Sequence, residues 1–337
     1  MTKTIPWAMA LFLVACGGGA TPEAKEPTPE PTQAKQAEPP PKEEASGADV
    51  SEAEAALKAG DFQRAKAAAE ATLAKDPKNA KALFYAGVAS ENLGDRDGAE
   101  KRYRAALAAQ ADFPDAAINL TLLLLDEKKN DDALATIKPV AAKMPDDPMV
   151  QSAYANALGA TGDHAGAAAA YEKVVKKGDA KPEVRLGYAE ELAAAGKKDD
   201  ATKALKDALA AAGDQREVLA AYGRMLAKLG DYDDAIKALD RAIKLKASAD
   251  LYTYRALFKR STKDLAGAQA DLEAATKEDA KFAPAWVYLG DVLEAEKKPA
   301  DAKKAWQKAV DVGGDSPLVQ KAKEKLAGKG GKKGSKK

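Results

Sequence analysis

The stretch GRMLAKLGDYDDAIKAL, residues 223–239, decides the fold because it holds the signals of two helices joined by a tight turn. Gly230 supplies the positive φ with which helices commonly end. Asp231 can accept hydrogen bonds from the free N–H groups at the start of the next helix. Gly223 and Ala235 are small residues 12 positions apart, one in each helix. The stretch therefore predicts a pair of helices in close contact.

The small residues of this stretch return along the chain at intervals of 33 or 34 residues. Eight alanines form the first column: Ala65, Ala99, Ala133, Ala167, Ala201, Ala235, Ala268 and Ala302. Twelve residues before each alanine lies a second small residue: Ala53, Gly87, Thr121, Ala155, Ala189, Gly223, Ala256 and Gly290. Four residues after each alanine, on the same helix face, a third column is bulky in all units but the first: Ala69, Tyr103, Ile137, Tyr171, Leu205, Leu239, Leu272 and Trp306. A small residue where two helices approach closely leaves room for a bulky neighbour at core density. One helix pair is therefore predicted eight times.

A turn residue separates the two helices in every unit. These residues are Gly60, Gly94, Lys128, Gly162, Gly196, Gly230, Lys263 and Lys297. Each turn is expected to end one helix and start the next. The predicted units begin near residues 46, 80, 114, 148, 182, 216, 249 and 283, and together they span residues 46–314.

A helix-turn-helix unit of 34 residues with these columns resembles the tetratricopeptide repeat (TPR), whose pattern is W-x2-L-G-x2-Y, then A-x3-F, then P. The last unit matches it at Trp286, Leu289, Gly290, Ala302 and Trp306. The closing proline remains only as Pro77 and Pro145, and residues 250–260 fit the pattern poorly. The resemblance implies an all-α fold, a right-handed TPR superhelix (α-solenoid) of eight repeats with a concave groove. An irregular alanine-rich helical bundle is the alternative.

Both ends of the array carry signals for helix starts, as expected of repeats whose outermost faces need polar covers. Ser51-Glu52-Ala53-Glu54 predicts a capping box at the first helix. Ser316 and Pro317 predict the start of a capping helix within residues 315–327. The apolar stripe of that helix consists of Leu318, Val319, Ala322 and Leu326.

The N-terminal residues carry a different signal. Lys3 precedes an apolar run from Ile5 to Ala15, which is too short to span a bilayer and is typical of a signal peptide. We therefore predict a signal peptide at residues 1–15. Leu13-Val14-Ala15-Cys16 is similar to the lipobox of bacterial lipoproteins, in which the lipid-modified cysteine becomes the new N-terminus. The resemblance implies acyl chains such as palmitate on Cys16, and the alternatives are an ordinary exported protein or a structural thiol.

Residues 16–47 are predicted to be the lipidated cysteine and a disordered tether, because residues 17–47 contain seven prolines and no aromatic residue. Gly17 follows the cysteine where lipoproteins of the inner membrane often have Asp. The resemblance therefore favours the outer membrane, facing the periplasm, while the inner membrane and the cell surface stay open. Residues 328–337 contain five lysines and are predicted to be a disordered tail.

The composition argues against several classes of function. His164 and Cys16 are the only residues of their types, so a His/Cys zinc set is excluded. A Ser-His-Asp triad or a Cys-His pair is not expected, because each would have to use His164, which falls in the turn between two helices. The chain has 53 Lys and Arg against 52 Asp and Glu, which gives no general signature of nucleic-acid binding. We predict no catalytic residue, metal, cofactor, small-molecule substrate or nucleic-acid partner.

In TPR proteins the concave wall comes mainly from positions 2, 5, 9, 12 and 13 of each first helix. By register, these positions predict a partner-binding groove of Phe84, Val88, Ile118, Leu122, Leu125 and Met149. Later units present charged residues there: Glu183, Glu190, Arg224, Lys228, Arg260, Asp291 and Glu294. The alternative is that neighbouring helices partly cover the apolar set. The carboxylate clamp of chaperone-binding relatives is not expected, because Asn156 is its only ninth-position candidate and Ser152 replaces the required lysine.

These features together predict a membrane-anchored scaffold or adaptor lipoprotein that binds other envelope proteins or peptides. Similar lipoproteins serve in secretin and pilus assembly, gliding motility and barrel assembly. The alternatives are a periplasmic chaperone or holdase that uses the apolar groove, and an adaptor for cell-wall hydrolases. An enzyme would need chemistry built from lysine, tyrosine and carboxylates alone.

Overall fold

The computed structural model describes residues 49–328. The predicted signal peptide, Cys16 and the tether to residue 47 lie outside the described residues, as does the predicted tail beyond Gly328. The predictions made for those segments stay predictions.

The described residues form seventeen α-helices and no β-strand. The helices are α1 (Ser51–Lys58), α2 (Phe62–Lys75), α3 (Ala80–Asn92), α4 (Arg96–Ala109), α5 (Pro114–Asp126), α6 (Asn130–Lys143), α7 (Pro148–Ala160), α8 (His164–Val175), α9 (Pro182–Ala194), α10 (Lys198–Ala211), α11 (Arg216–Leu229), α12 (Tyr232–Leu245), α13 (Ala249–Ser261), α14 (Leu265–Glu278), α15 (Ala283–Ala295), α16 (Pro299–Gly313) and α17 (Pro317–Leu326). The first sixteen are the eight predicted pairs, and α17 is the predicted capping helix. The all-α TPR fold class expected from the sequence is confirmed.

The helices belong to two compact units, and the boundary between Gly162 and Asp163 falls in the turn of the fourth pair. The N-terminal unit contains α1–α7, and the C-terminal unit contains α8–α17. Within each unit, packing is mainly between helices that follow one another in the chain. This local pattern is typical of repeat proteins, in which each unit contacts only its neighbours.

The three columns read from the sequence lie in the core. All eight alanines of the first column have 0% of their surface exposed. The bulky third column is buried throughout, and Tyr171 is its most exposed member at 5%. A Cβ atom added at Gly87 would lie 2.6 Å from Cε1 of Tyr103, and one added at Gly290 would overlap the indole of Trp306. The small residues are therefore required by the large ones that face them.

The turns have the conformation that the sequence predicts. Gly230 has a φ of 95°, in the left-handed region that glycine enters without a steric penalty. Lys128, Lys263 and Lys297 occupy the same region, with φ values of 61°, 69° and 62°. These lysines are strained because the left-handed region brings Cβ close to the following carbonyl oxygen. The fold thus imposes the left-handed conformation at these turns, and a residue with a side chain adopts it at a cost in free energy.

An aspartate caps five of the second helices. Its side chain accepts a hydrogen bond from the N–H group three residues later, as predicted for Asp231. The capping residues are Asp61, Asp95, Asp163, Asp231 and Asp264. The second helices α6, α10 and α16 instead follow a lysine and have no side-chain cap.

The two ends of the array differ from each other. The capping box predicted at Ser51 is wrong: Ser51 is the first helical residue, and its N–H donates to Oδ1 of Asp49 at 2.8 Å. The capping helix is confirmed, since Ser316 accepts a hydrogen bond from the N–H of Val319 and Pro317 begins α17. Val319 and Ala322 of this helix are fully buried, so α17 covers the end of the eighth pair.

Candidate protein-binding surfaces

The first helices of the pairs form what we call the inner wall of each unit. In the N-terminal unit α5 contacts α7, and in the C-terminal unit α11 contacts α13, which contacts α15. The second helices make no comparable contacts with one another within either unit. A partner lying along the first helices can therefore touch consecutive repeats.

Four of the six predicted groove residues are partly exposed on the inner wall of the N-terminal unit. They are Val88, Leu122, Leu125 and Met149, and we call them the apolar strip. Each also packs against the core of this unit. The strip therefore combines anchored side chains with apolar surface in reach of a partner.

The exposure expected for the other two groove residues is corrected by the structure. Phe84 is only 9% exposed and Ile118 only 7%. The ring of Phe84 packs 5.3 Å from that of Phe113 and 5.9 Å from that of Tyr103, centroid to centroid. Because Phe84 turns into an aromatic cluster of the core, its side chain is a packing residue. Partner binding at the remaining positions stays a prediction.

The inner wall of the C-terminal unit carries charge, and part of that charge is neutralised. Lys321 of α17 donates to Oδ2 of Asp291 at 2.7 Å, and Lys325 of α17 pairs with Glu294. The capping helix thus uses its lysines to cover the acidic end of the wall.

Two arginines of this wall lie over tyrosine rings. Cζ of Arg224 is 5.4 Å from the ring centroid of Tyr254, and Cζ of Arg260 is 5.9 Å from that of Tyr288. The arginines were predicted from the register, whereas the tyrosines were not, because they lie one position beyond the fifth position of their repeats. Their signal was an aromatic residue where most other units have a small or amide residue, as at Ala153, Gly187 and Ala221.

The seventh pair contains a buried ionic cluster that the sequence analysis also missed. Asp271 of α14 is 4% exposed, accepts a hydrogen bond from Nε of Arg255 at 2.8 Å and forms an ion pair with Lys259 at 2.9 Å. Arg255 also donates to Asp240 of α12 at 2.6 Å. These carboxylates, Asp271 first, raise the pKa of Arg255 above its usual range. The poor fit of residues 250–260 to the repeat pattern was the available signal.

Within residues 49–328 the titratable groups do not assemble into a recognisable catalytic or metal site. Nδ1 of His164 lies 2.8 Å from Oε2 of Glu191, on a partly exposed surface. The described part of the chain has no group of three or more metal-ligating side chains. In the same residues, no helix is long and apolar enough to cross a bilayer.

The repeated helix pair, its buried small residues and its inner wall define a helical repeat protein of the protein-binding kind. One tetratricopeptide repeat model matches residues 48–214, and another matches residues 186–250 and 260–322. The chain therefore belongs to the tetratricopeptide repeat family. Members of this family bind other proteins or peptides, and their fold is typically non-enzymatic.

Several solved structures are similar to this chain at low sequence identity. The type IV pilus biogenesis factor PilW is 19% identical, with a TM-score of 0.50 over 57% of this chain and 89% of PilW. Yeast Tom70 is 16% identical, with a TM-score of 0.48 over 80% of this chain and 59% of Tom70. A tetratricopeptide repeat protein from Parabacteroides merdae is 17% identical, with a TM-score of 0.44 over 82% of this chain and 96% of its own. No curated protein matches the chain.

Proposed function

We propose that this chain is a lipid-anchored scaffold that holds proteins of a bacterial envelope machine together. The observation that carries the scaffold role is the apolar strip on the inner wall of the N-terminal unit, where four partly exposed apolar side chains lie on the first helices of three consecutive repeats. Exposed apolar patches on soluble surfaces mark interaction sites. A peptide or an amphipathic helix of the partner would bury these side chains.

The envelope location rests on the N-terminal sequence. The apolar run followed by Leu13-Val14-Ala15-Cys16 supports lipidation of Cys16, and two or more acyl chains hold a protein durably at a membrane. Gly17 supports the outer membrane, with the repeats facing the periplasm. Machines that use such lipoproteins include those for secretin and pilus assembly, gliding motility and barrel assembly.

We propose that the chain has no enzymatic activity of its own. The best-placed acid–base pair among residues 49–328 is His164 with Glu191. His164 lies at the start of α8, where the other units carry residues of many types, and the described residues contain no group of three or more metal-ligating side chains. Its contact joins α8 to α9, which is a structural role.

The scaffold role is tested by the double variant Val88→Asp/Leu122→Asp. We expect loss of partner proteins from crosslinked envelopes, because two carboxylates would have to be desolvated in the complex. Leu93→Asp is the matched control, since Leu93 is 37% exposed at the end of α3 and outside the strip. Unchanged capture by the double variant, with a helical circular dichroism spectrum, would refute the role of the strip.

The anchor is tested separately with Cys16→Ser. We expect the parent chain to incorporate labelled palmitate and to sediment with outer membranes, and the variant to do neither. An unacylated mature N-terminus in the parent chain would overturn the proposed location and leave the protein-binding surfaces unaffected.

The apolar strip also favours a second candidate, a periplasmic holdase for unfolded proteins. The two functions differ in stoichiometry and breadth. Capture of one or two native proteins at fixed ratio identifies a scaffold, whereas suppression of aggregation of many unrelated proteins identifies a holdase.

A further inference from the structure

Arg224 and Arg260 differ from the other arginines of residues 49–328. Each of the others forms an ion pair with a carboxylate or donates to a backbone carbonyl, as Arg241 does to Gly213 at 2.7 Å. Arg224 and Arg260 instead lie over tyrosine rings, and neither forms an ion pair or a hydrogen bond among the described residues. Their guanidinium N–H groups therefore have no protein acceptor in this part of the chain.

The tyrosines hold these guanidinium groups in place. A planar guanidinium that stacks on an aromatic face keeps its N–H edge free for a carboxylate or phosphate, and the stacking reduces the rotamer freedom that binding would otherwise remove. Tyr254 is 37% exposed and Arg224 and Arg260 are partly exposed. Both arginines are thus oriented and accessible.

Arg255 in the seventh pair shows which chemical group a stacked arginine of this chain binds. Cζ of Arg255 lies 5.5 Å from the ring centroid of Tyr252, a stacking distance like the other two. Arg255 also donates to the carboxylates of Asp271 and Asp240. Charge-assisted pairs of this type are the strong hydrogen bonds of proteins. A stacked arginine in this chain is therefore a carboxylate receptor when a carboxylate is in reach.

The surroundings of Arg224 and Arg260 favour an acidic partner. Lys228, one turn after Arg224 on α11, is exposed and adds positive charge. Asp291 and Glu294, the acidic residues farther along the wall, are neutralised by the lysines of α17. The charge of Lys228 also acts on Glu190 of α9, so the unpaired positive charge of this section of wall is that of Arg224 and Arg260, next to the exposed ring of Tyr254.

The spacing of the two arginines favours an extended segment. Arg224 lies on α11 and Arg260 on α13, which are in contact. Packed helices lie about 8–10 Å apart, and an extended chain advances about 3.3 Å per residue. Carboxylates three residues apart would therefore reach both guanidinium groups.

We propose that the Arg224/Tyr254 and Arg260/Tyr288 pairs bind an extended acidic segment of a partner protein, whose carboxylates accept hydrogen bonds from the two guanidinium groups. An apolar residue between the carboxylates packs on the exposed ring of Tyr254. This inference rests on the proposed scaffold function and names the chemistry of one partner. It concerns the C-terminal unit alone, so it is distinct from the apolar strip.

The test uses the full chain and a fluorescein-labelled peptide with glutamate at every third position and alanine and proline between. Fluorescence anisotropy is expected to show binding at least tenfold tighter than for the same peptide with glutamine in place of glutamate. Arg224→Gln/Arg260→Gln is expected to weaken binding at least tenfold. Arg224→Lys/Arg260→Lys keeps the positive charges but loses the planar guanidinium groups that can bind a carboxylate through two N–H donors. An intermediate affinity is therefore expected.

The matched control is Lys237→Gln/Lys244→Gln, which removes the same charge from exposed positions of α12. Binding that weakens equally in this control, or that survives in Arg224→Gln/Arg260→Gln, would overturn the proposal. All variants are compared at equal helicity. Either result leaves the capture experiment on Val88 and Leu122 unaffected, so the two proposals fail independently.

The chain's own N-terminal segment is the competing occupant. It contains six glutamates before residue 48: Glu23, Glu26, Glu30, Glu38, Glu43 and Glu44. If changing all six to glutamine in the full chain tightens peptide binding tenfold, this segment occupies the site and the partner assignment is overturned. Unchanged affinity supports a partner protein.

Discussion

In the seventh helix pair, Arg255 and Asp271 occupy the positions that Leu289 and Ala305 hold in the eighth. Asp271 is 4% exposed, as is Ala305. The two pairs nevertheless share a first helix of 13 residues, the turn conformation and the buried column alanine, Ala268 or Ala302. The repeat architecture therefore depends on the small residues at the helix crossing, and it accepts either an ionic or an apolar interior beside them.

The largest expected effect comes from disrupting the ionic cluster of the seventh pair. Asp271→Ala removes the main carboxylate of Arg255, whose side chain is 15% exposed and keeps only Asp240, so we expect a loss of about 3 kcal/mol in the free energy of unfolding of the C-terminal unit. Urea unfolding followed by circular dichroism measures it. Asp240→Ala is the milder comparison, because Asp240 is 43% exposed at its side chain and is only the second partner of Arg255.

The double variant Arg255→Leu/Asp271→Ala rebuilds the interior of the eighth pair inside the seventh. We expect it to recover the stability lost in Asp271→Ala, because an apolar replacement of a buried ion pair is often neutral or stabilising. A double variant as unstable as Asp271→Ala would contradict this expectation and would mean that the cluster stabilises the pair by more than the mutual neutralisation of its charges.

The next largest effect is expected from disrupting the contact between Gly290 and Trp306 in the eighth pair. A Cβ atom at Gly290 would overlap the indole of Trp306, so Gly290→Ala should cost about 1–3 kcal/mol through overpacking. The seventh pair carries Ala256 and Leu272 at these positions. Gly290→Ala/Trp306→Leu copies that combination and should restore the melting temperature; additive losses in the two single variants would contradict this coupling.

The smallest expected effect concerns the turn lysine that the two pairs have in common. Lys263→Gly and Lys297→Gly should each stabilise the protein by about 0.5–1 kcal/mol, because glycine adopts the left-handed conformation without the clash at Cβ. The two gains in melting temperature should be equal, since the φ values are 69° and 62°. The reverse change, Gly230→Lys, should lower the melting temperature by a similar amount.

The fold was predictable because it rests on few residues at fixed spacing. The alanine column and the turn residues gave the helix pairs, and the single 33-residue interval corresponds to a connection of only three residues between Leu245 and Ala249. The capping box failed because Ser51 lies one position inside the helix. One residue of register decides whether a serine caps a helix or belongs to it.

The surfaces were only partly predictable. Register identified the helix face of Phe84, and it could not indicate that the ring turns toward Phe113 and Tyr103. Arg224 and Arg260 were predicted as charged residues of the inner wall. Their contacts with Tyr254 and Tyr288 depend on the distance between neighbouring repeats, which the register does not give. Side-chain direction and contacts between repeats are three-dimensional properties, and a single sequence records neither.

The buried pair of Arg255 and Asp271 also bears on how such a chain finds its own partner helices. Eight hairpins of nearly the same length and composition offer many wrong neighbours, and repeat proteins are prone to misassembly of this kind. If α13 packed against a second helix other than α14, Arg255 would face alanine, threonine or arginine at the position of Asp271 and lose its main partner. We expect this penalty to act against domain swapping, so the least regular repeat helps to keep the hairpins in order.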